Sequence, residues 1–259
     1  MTSISSQLQD AIEISASLIR EAHHAIVITG AGLSTPSGIP DFRSEGTGLW
    51  SKDEPLEVAS LLSFRLHPEV FFEWIRPLAW QIYYSQPNQA HYALTELEKL
   101  GYIKAILTQN IDALHQKSGA KRVLELHGTF GTLSCTQCYR QYSREEFLLP
   151  FIDTGSIPRC PVCSAILKPD VILFGEQLPY KTLETAQHEV NECDLILVAG
   201  SSLEVLPVAA WPIKALDHGA HLIIINNTPT YLNVRADVVI SSNVADVVPA
   251  IVESVIHGI

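Results

Sequence analysis

Short, unbroken apolar runs recur along this chain and govern what it can fold into. Ala25-Ile-Val-Ile-Thr29 is the first, and others follow at Tyr102 to Thr108, Val123 to Leu126, Asp194 to Ala199, His221 to Asn226 and Asp237 to Ser241. A strand without polar alternation is covered on both faces, the condition of a parallel sheet between helices. Helical spacing of apolar residues precedes the first run (Leu8, Ala11, Ile12, Leu18, Ile19). Helix-like segments separate most of the others: Gln89 to Leu100, Leu178 to Asn191 and Pro207 to His218. Strands alternating with helices connect by right-handed crossovers, so the expected fold class is α/β, a parallel sheet with helices on both faces.

Two stretches break the alternation. Residues from about Ser44 to Pro87 carry Trp50, Phe64, Phe71, Phe72, Trp74 and Trp80 without a strand pattern, and Gly128 to Pro169 holds two cysteine pairs among several Pro and Gly. The implied organisation is a sheet domain from residues 1–43, 88–127 and 170–259, a helical insertion at 44–87 and a small domain at 128–169. The insertions are expected to pack together or beside the sheet.

Composition narrows the function. With 47% apolar and 17% charged residues the chain can bury a core without disulfides, which excludes a disordered protein. Seventeen Lys+Arg against 28 Asp+Glu give a net charge of -11 with no basic cluster, which excludes direct nucleic-acid binding. The longest apolar runs, such as Leu195 to Ala199, fall far short of the roughly 18 residues a membrane span needs. No basic segment followed by an apolar run opens the chain, so a cytoplasmic protein is expected.

Four places carry chemistry. Gly30-Ala31-Gly32 follows the first strand, where such a turn either lets backbone N–H groups approach a phosphate or is simply tight; Thr35 stands where a dinucleotide fingerprint has its third glycine. Gln109-Asn110-Ile111-Asp112 ends a strand at the sheet's ligand-binding edge, as polar ligands or as ordinary turn formers. His127 also ends a strand, and an imidazole of pKa ~6.5 can accept a proton near neutrality. Cys135-x-x-Cys138 and Cys160-x-x-Cys163, with 21 residues between the pairs, have the spacing of a four-cysteine zinc site, the alternative being reduced thiols without metal. Four thiolates fill a tetrahedral shell, so such a metal is structural. Cys193 reads as a core thiol.

The run Gly30-Ala-Gly-Leu-Ser-Thr-Pro-Ser-Gly-Ile-Pro-Asp-Phe-Arg43 resembles the NAD-binding signature of the sirtuins, the NAD-dependent protein lysine deacylases. Thr108-Gln-Asn-Ile-Asp112, Leu126-His-Gly128 and Gly200-Ser-Ser-Leu203 resemble further blocks of that family, in its order and with the cysteine pairs in its place. The resemblance covers nearly the whole chain. It implies a Rossmann-like sheet domain, NAD as co-substrate, one structural zinc per chain, and acylated-lysine proteins or peptides as partners. Nicotinamide leaves, and the acyl group passes from lysine to ADP-ribose. By the same resemblance His127 is the catalytic base. Asn110, Ile111 and Asp112 shape the nicotinamide pocket, and Gln109 contacts ribose. Gly30, Ala31, Gly32, Thr35, Asp41, Phe42 and Arg43 form the cofactor loop, while Gly200, Ser201, Ser202, Asn226 and Val244 hold the adenosine half. Val171, Phe174, Gly175, Leu203 and Val205 line a cleft for an extended peptide.

Two other classes compete. A dehydrogenase explains the glycine turn but not the Gln109-Asn110 and cysteine blocks, and a silent ADP-ribose-binding module has no use for His127. ADP-ribosyl transfer on the same fold is the nearest alternative activity. The branch of the family that prefers succinyl- and malonyl-lysine carries Tyr-x-x-Arg in its acyl pocket. In Val70 to Gln86, Tyr83 and Tyr84 are followed three residues later by Gln86 and Pro87, so a neutral acyl group is expected.

Overall fold

The computed structural model describes residues 6–41 and 55–258, so Phe42, Arg43 and Trp50 lie outside the described residues. The first part of the chain gives α1 (Ser6–Glu21), β1 (Ala25–Thr29), α2 (Pro55–Val58), α3 (Leu61–Leu66), α4 (Pro68–Tyr84) and α5 (Gln89–Lys99). Then come β2 (Ile103–Thr108), α6 (Leu114–Lys117), β3 (Val123–Glu125), β4 (Gly128–Cys135), β5 (Gln141–Ser143), α7 (Leu148–Thr154) and β6 (Leu167–Val171). The last part holds α8 (Tyr180–Glu192), β7 (Leu195–Ala199), α9 (Trp211–Asp217), β8 (His221–Ile225), β9 (Val238–Ile240) and α10 (Val244–His257).

All six apolar runs are strands of one sheet, ordered β3-β2-β1-β7-β8-β9 with every pairing parallel. From β1 the chain builds outward to β3, then returns to the centre and builds the other way from β7. The crossovers diverge there, so a crevice opens at the carboxyl ends of β1 and β7.

Period-two alternation decides which helices cover which face. Ala25 and Val27 of β1 face α1, α5 and α10, while Ile26 and Ile28 face α8 and α9. A register shift at Ala25/Ile26 lets Ile103 and Ile106 of β2, an odd and an even position, reach the same layer. The α5 helix starts where Asn88 caps it: the Asn88 side chain accepts from the Ala90 N–H, and His91 Nδ1 accepts from the Asn88 N–H. Among the described residues no helix is long and apolar enough to cross a membrane.

The two stretches outside the alternation meet over a shared apolar cluster. Phe71, Phe72, Ile75 and Leu78 of α4 pack with Leu148, Phe151 and Ile152 of α7, with Phe72 and Phe151 edge to face at 5.4 Å. Arg76 fastens the pair, donating to the Ile152 carbonyl at 2.9 and 2.6 Å and to the Asp153 carbonyl at 2.9 Å. The cysteine-bearing segment is an antiparallel sheet, β5-β4-β6. Its third strand runs across residue 169, so β6 joins the segment to the chain that follows.

Gly128 is the joint between the two sheets. Its φ is +74°, and a Cβ there would stand 2.0 Å from the Asp170 carbonyl oxygen, a backbone atom fixed in β6. Gly219 has φ +92° with open space around it, so alanine there meets only the left-handed penalty of about 1–2 kcal/mol. Gly128→Ala is expected to lose clearly more stability than Gly219→Ala in denaturant unfolding; equal losses would mean that β6 yields to the new methyl.

Candidate active site

At the crevice the turns after β1 and β7 interlock. The Gly32 N–H donates to the Gly200 carbonyl at 2.9 Å, and Gly200 lies at φ +65° where a Cβ would meet Leu33 N at 2.2 Å. This changes the meaning of the glycine turn. The N–H groups of Gly30, Gly32, Leu33 and Ser34 are already bonded, to the carbonyls of Ala199, Gly200, Gly30 and Ala31. The glycines therefore let two backbones touch rather than leaving a row of free amides. Thr35 is exposed, and its hydroxyl turns back to the Gly32 carbonyl at 3.1 Å. Asp41 is half-buried at the end of the described loop.

Beside this lock, Asn110 and Asp112 are buried at 6% and 5% exposure. Asn110 Nδ2 donates to the Gly30 carbonyl at 3.0 Å and to Ser34 Oγ at 3.1 Å, which fixes the amide's orientation. Ser34 Oγ in turn donates to Asp112 Oδ2 at 2.7 Å, and the Leu114 N–H to Asp112 Oδ1 at 2.9 Å. Burial pushes the Asp112 carboxyl above the ordinary range, against the pull of those two hydrogen bonds and of the Arg144 charge. With Ala31, Ile111, Ile39, Pro40, Leu78 and Ile82 they line a recess of about 290 Å³ including its open mouth. Ser34, Asn110 and Asp112 supply its polar groups, and the rest of its lining is apolar. Ser34 ties both polar walls together and was not singled out from sequence; a hydroxyl two residues past the glycine turn was the available signal.

His127 lies just beyond β3. Its Nδ1 stands 3.2 Å from the Gln109 carbonyl, which can only accept, so Nδ1 carries the proton and Nε2 keeps its lone pair. Burial pulls the imidazole pKa below 6.5, with the Gln109 bond pulling the other way, so the ring is neutral at pH 7. The His127 carbonyl accepts from the Ile172 N–H at 2.9 Å, which ties the Val171–Gly175 segment to this residue. Glu125, on β3, is a further carboxyl raised by burial that sequence reasoning did not single out.

The other expected site residues divide by burial. Gln109 Nε2 donates to Ser201 Oγ at 2.9 Å, and Ser201 Oγ accepts from the Leu203 N–H at 3.2 Å, joining the ends of β2 and β7. Asn226 ends β8 with its amide on Thr228, at 2.8 and 3.1 Å. Ser202 is half-buried, and Val244 opens α10 with its side chain in the core. Of the residues expected at the peptide cleft, Phe174 and Gly175 are exposed and Val205 is half-buried, while Val171 and Leu203 are buried at 5% and 2% exposure. Phe174 is paired in parallel with Ser60, which occupies part of that strand's edge.

In the small lobe the sulfurs of Cys135, Cys138, Cys160 and Cys163 lie within 4.8 Å of one another. Four thiols converging from two loops, with no fifth donor group in the cluster among the described residues, fit tetrahedral zinc, and these residues would hold it. Gln137 and Cys138 N–H groups already point at Cys135 Sγ from 3.5 and 3.4 Å. Cys193 is a core thiol at 6% exposure.

The switch-point crevice, with a neutral imidazole bonded to the end of β2 and a four-cysteine lobe fit to hold a structural zinc, defines a Rossmann-like nucleotide-using enzyme. The model of the Sir2 family matches residues 30–207, and the chain belongs to that family. An NAD-dependent protein deacylase of Archaeoglobus fulgidus is 46% identical over 249 residues, 96% of this chain and 97% of its own. A solved Sir2 protein bound to a myristoylated histone peptide is 40% identical with TM-score 0.81, over 96% of this chain and 98% of that one. A Sir2 variant with a deacetylated p53 peptide and 3′-O-acetyl-ADP-ribose is 33% identical with TM-score 0.87, over 94% and 98%.

One zinc per chain is expected by elemental analysis. Cys→Ser at any of the four positions should lower the melting temperature and zinc content together, because thiolate ligation supplies folding free energy to a lobe with a small apolar cluster. A metal-free, fully stable protein would refute the assignment.

Proposed function

We propose that this chain is an NAD-dependent protein lysine deacylase, transferring an acyl group from lysine to ADP-ribose with release of nicotinamide and O-acyl-ADP-ribose. The carrying observation is the neutral His127 ring, its Nδ1 on the Gln109 carbonyl so that Nε2 keeps its lone pair, with the residue's own carbonyl bonded to Ile172 of the Val171–Gly175 segment. NAD, when bound, supplies an activated ribose carbon and the hydroxyls that take up the acyl group.

The residues divide the work. Asn110, Ile111 and Asp112 receive the carboxamide-bearing ring, with Asp112 oriented by Ser34 to accept its N–H. Gln109 and Ser201 face the neighbouring ribose, and Gly200, Ser202, Asn226 and the start of α10 at Val244 take the adenosine half. Gly30, Ala31, Gly32, Thr35 and Asp41, with Phe42 and Arg43, close the loop over the cofactor. Phe174, Gly175 and Val205, with the backbones of Val171 and Leu203, hold an acyl-lysine peptide so that its carbonyl oxygen reaches the ribose. His127 Nε2 then accepts a ribose-hydroxyl proton. The partners are acylated-lysine proteins, with neither nucleic acid nor membrane involved. A cytoplasmic location accompanies the reading, supported by cysteines that converge as metal ligands.

His127→Ala is expected to leave folding intact and reduce deacylation of an acetyl-lysine peptide by at least ~10²-fold, the lower range for a general base. Retention of more than roughly a tenth of turnover would refute the role. In the intact enzyme the acid limb of kcat/KM should fall below pH 6.5. Burial depresses the base's pKa, so the active neutral form persists to lower pH.

Acyl selectivity follows from α4. Arg76, the arginine of that helix, spends its Nε and Nη2 donors on the Ile152 and Asp153 carbonyls. A second carboxylate on the acyl group therefore lacks a guanidinium there, and an unpaired buried charge is costly. Succinyl-lysine should be at least ~10-fold poorer than acetyl- or butyryl-lysine in kcat/KM, the ratio that ~1.4 kcal/mol gives. Succinyl matching acetyl on one peptide would defeat this.

A further inference from the structure

The two cysteine loops are far apart in sequence, and one side chain spans them. Tyr142 lies on β5, just after the first loop, and its hydroxyl oxygen stands 3.2 Å from Cys160 Sγ of the second. Among the described residues no other side-chain O–H or N–H reaches any of the four sulfurs; the remaining polar neighbours are backbone N–H groups.

The ring is held independently of the sulfur. Tyr142 is paired opposite Leu133 on β4, and its ring meets Phe147 edge to face at 5.6 Å. It also packs on the cluster of Leu133, Cys135, Cys160 and Leu167. The hydroxyl is therefore presented with little rotamer freedom left to lose.

Four thiolates around a divalent cation carry two net negative charges. In a partly buried lobe that charge must be dispersed by donors, and each charge-assisted bond is roughly twice as strong as a neutral one. We propose that Tyr142 is a positioning residue for the metal: its O–H donates to the Cys160 thiolate, ties the second cysteine loop to the first, and slows the loss of zinc. The proposal rests on the zinc reading above. It predicts a chemical consequence as well: without the hydroxyl, the Cys160 sulfur donates more electron density to the metal.

Tyr142→Phe removes the hydroxyl and keeps the ring. Tyr139→Phe is the control, a tyrosine of the first cysteine loop that is 82% exposed. In zinc-loaded proteins, transfer to a colorimetric chelator should be at least ~10-fold faster for Tyr142→Phe, within the range for losing an outer-shell partner, and unchanged for Tyr139→Phe. In cobalt-substituted proteins the sulfur-to-metal charge-transfer band should move to longer wavelength in Tyr142→Phe alone. An unmoved band overturns the hydrogen-bond role even if zinc is lost faster, since loosened packing alone would do that. An unchanged release rate overturns the retention role. Wild-type protein without zinc would instead refute the zinc reading itself.

Discussion

Two backbones touching at the end of the sheet set the geometry of everything around them. A Cβ on Gly30 would stand 2.8 Å from the Gly200 carbonyl, and one on Gly32 2.9 Å from the same atom. The turns after β1 and β7 are thereby drawn closer than side chains allow, and the Gly30 and Gly32 N–H groups find their acceptors on Ala199 and Gly200. Asn110 is oriented because the Gly30 carbonyl is held in place, Ser34 because its turn is closed, and Asp112 because Ser34 reaches it. The recess is thus built from the strand ends outward, before any ligand enters.

His127 is placed by a different route. His127 stands between the two sheets, with its ring bonded to the end of β2 and its carbonyl bonded to the segment after β6. The large sheet therefore fixes the imidazole's tautomer while the small sheet fixes what lies next to it. That sharing explains why Gly128 follows: the backbone must turn sharply from one sheet into the other against the Asp170 carbonyl. The four cysteines lie at the end of β4 (Cys135), in the turn that follows it (Cys138) and in the loop before β6 (Cys160 and Cys163), so a zinc held there would act on the site mechanically.

The large sheet was legible because burial on both faces leaves uninterrupted apolar runs, and all six are strands. The small sheet was not, since Gly131, Lys168, Pro169 and Asp170 interrupt the apolar residues of β4 and β6. The site blocks Gln109–Asp112, Leu126–Gly128 and Gly200–Leu203 do sit together at the carboxyl edge. What a linear reading could not supply was direction. It could not tell that Leu203 and Val171 turn inward, that the glycine turn spends its N–H groups on itself, or that Ser34 is the common partner of Asn110 and Asp112.

Strand order has a further consequence on the ribosome. β1 is central, yet one neighbour is β2 and the other is β7, which begins at Leu195. At roughly 5–20 residues per second, synthesis leaves Ala25–Thr29 with one unpaired edge for on the order of ten to thirty seconds. An apolar strand with free N–H and C=O groups is a template for any other nascent strand. The same order that opens a ligand crevice in the finished enzyme therefore makes its youngest form the stage most in need of a chaperone's cover.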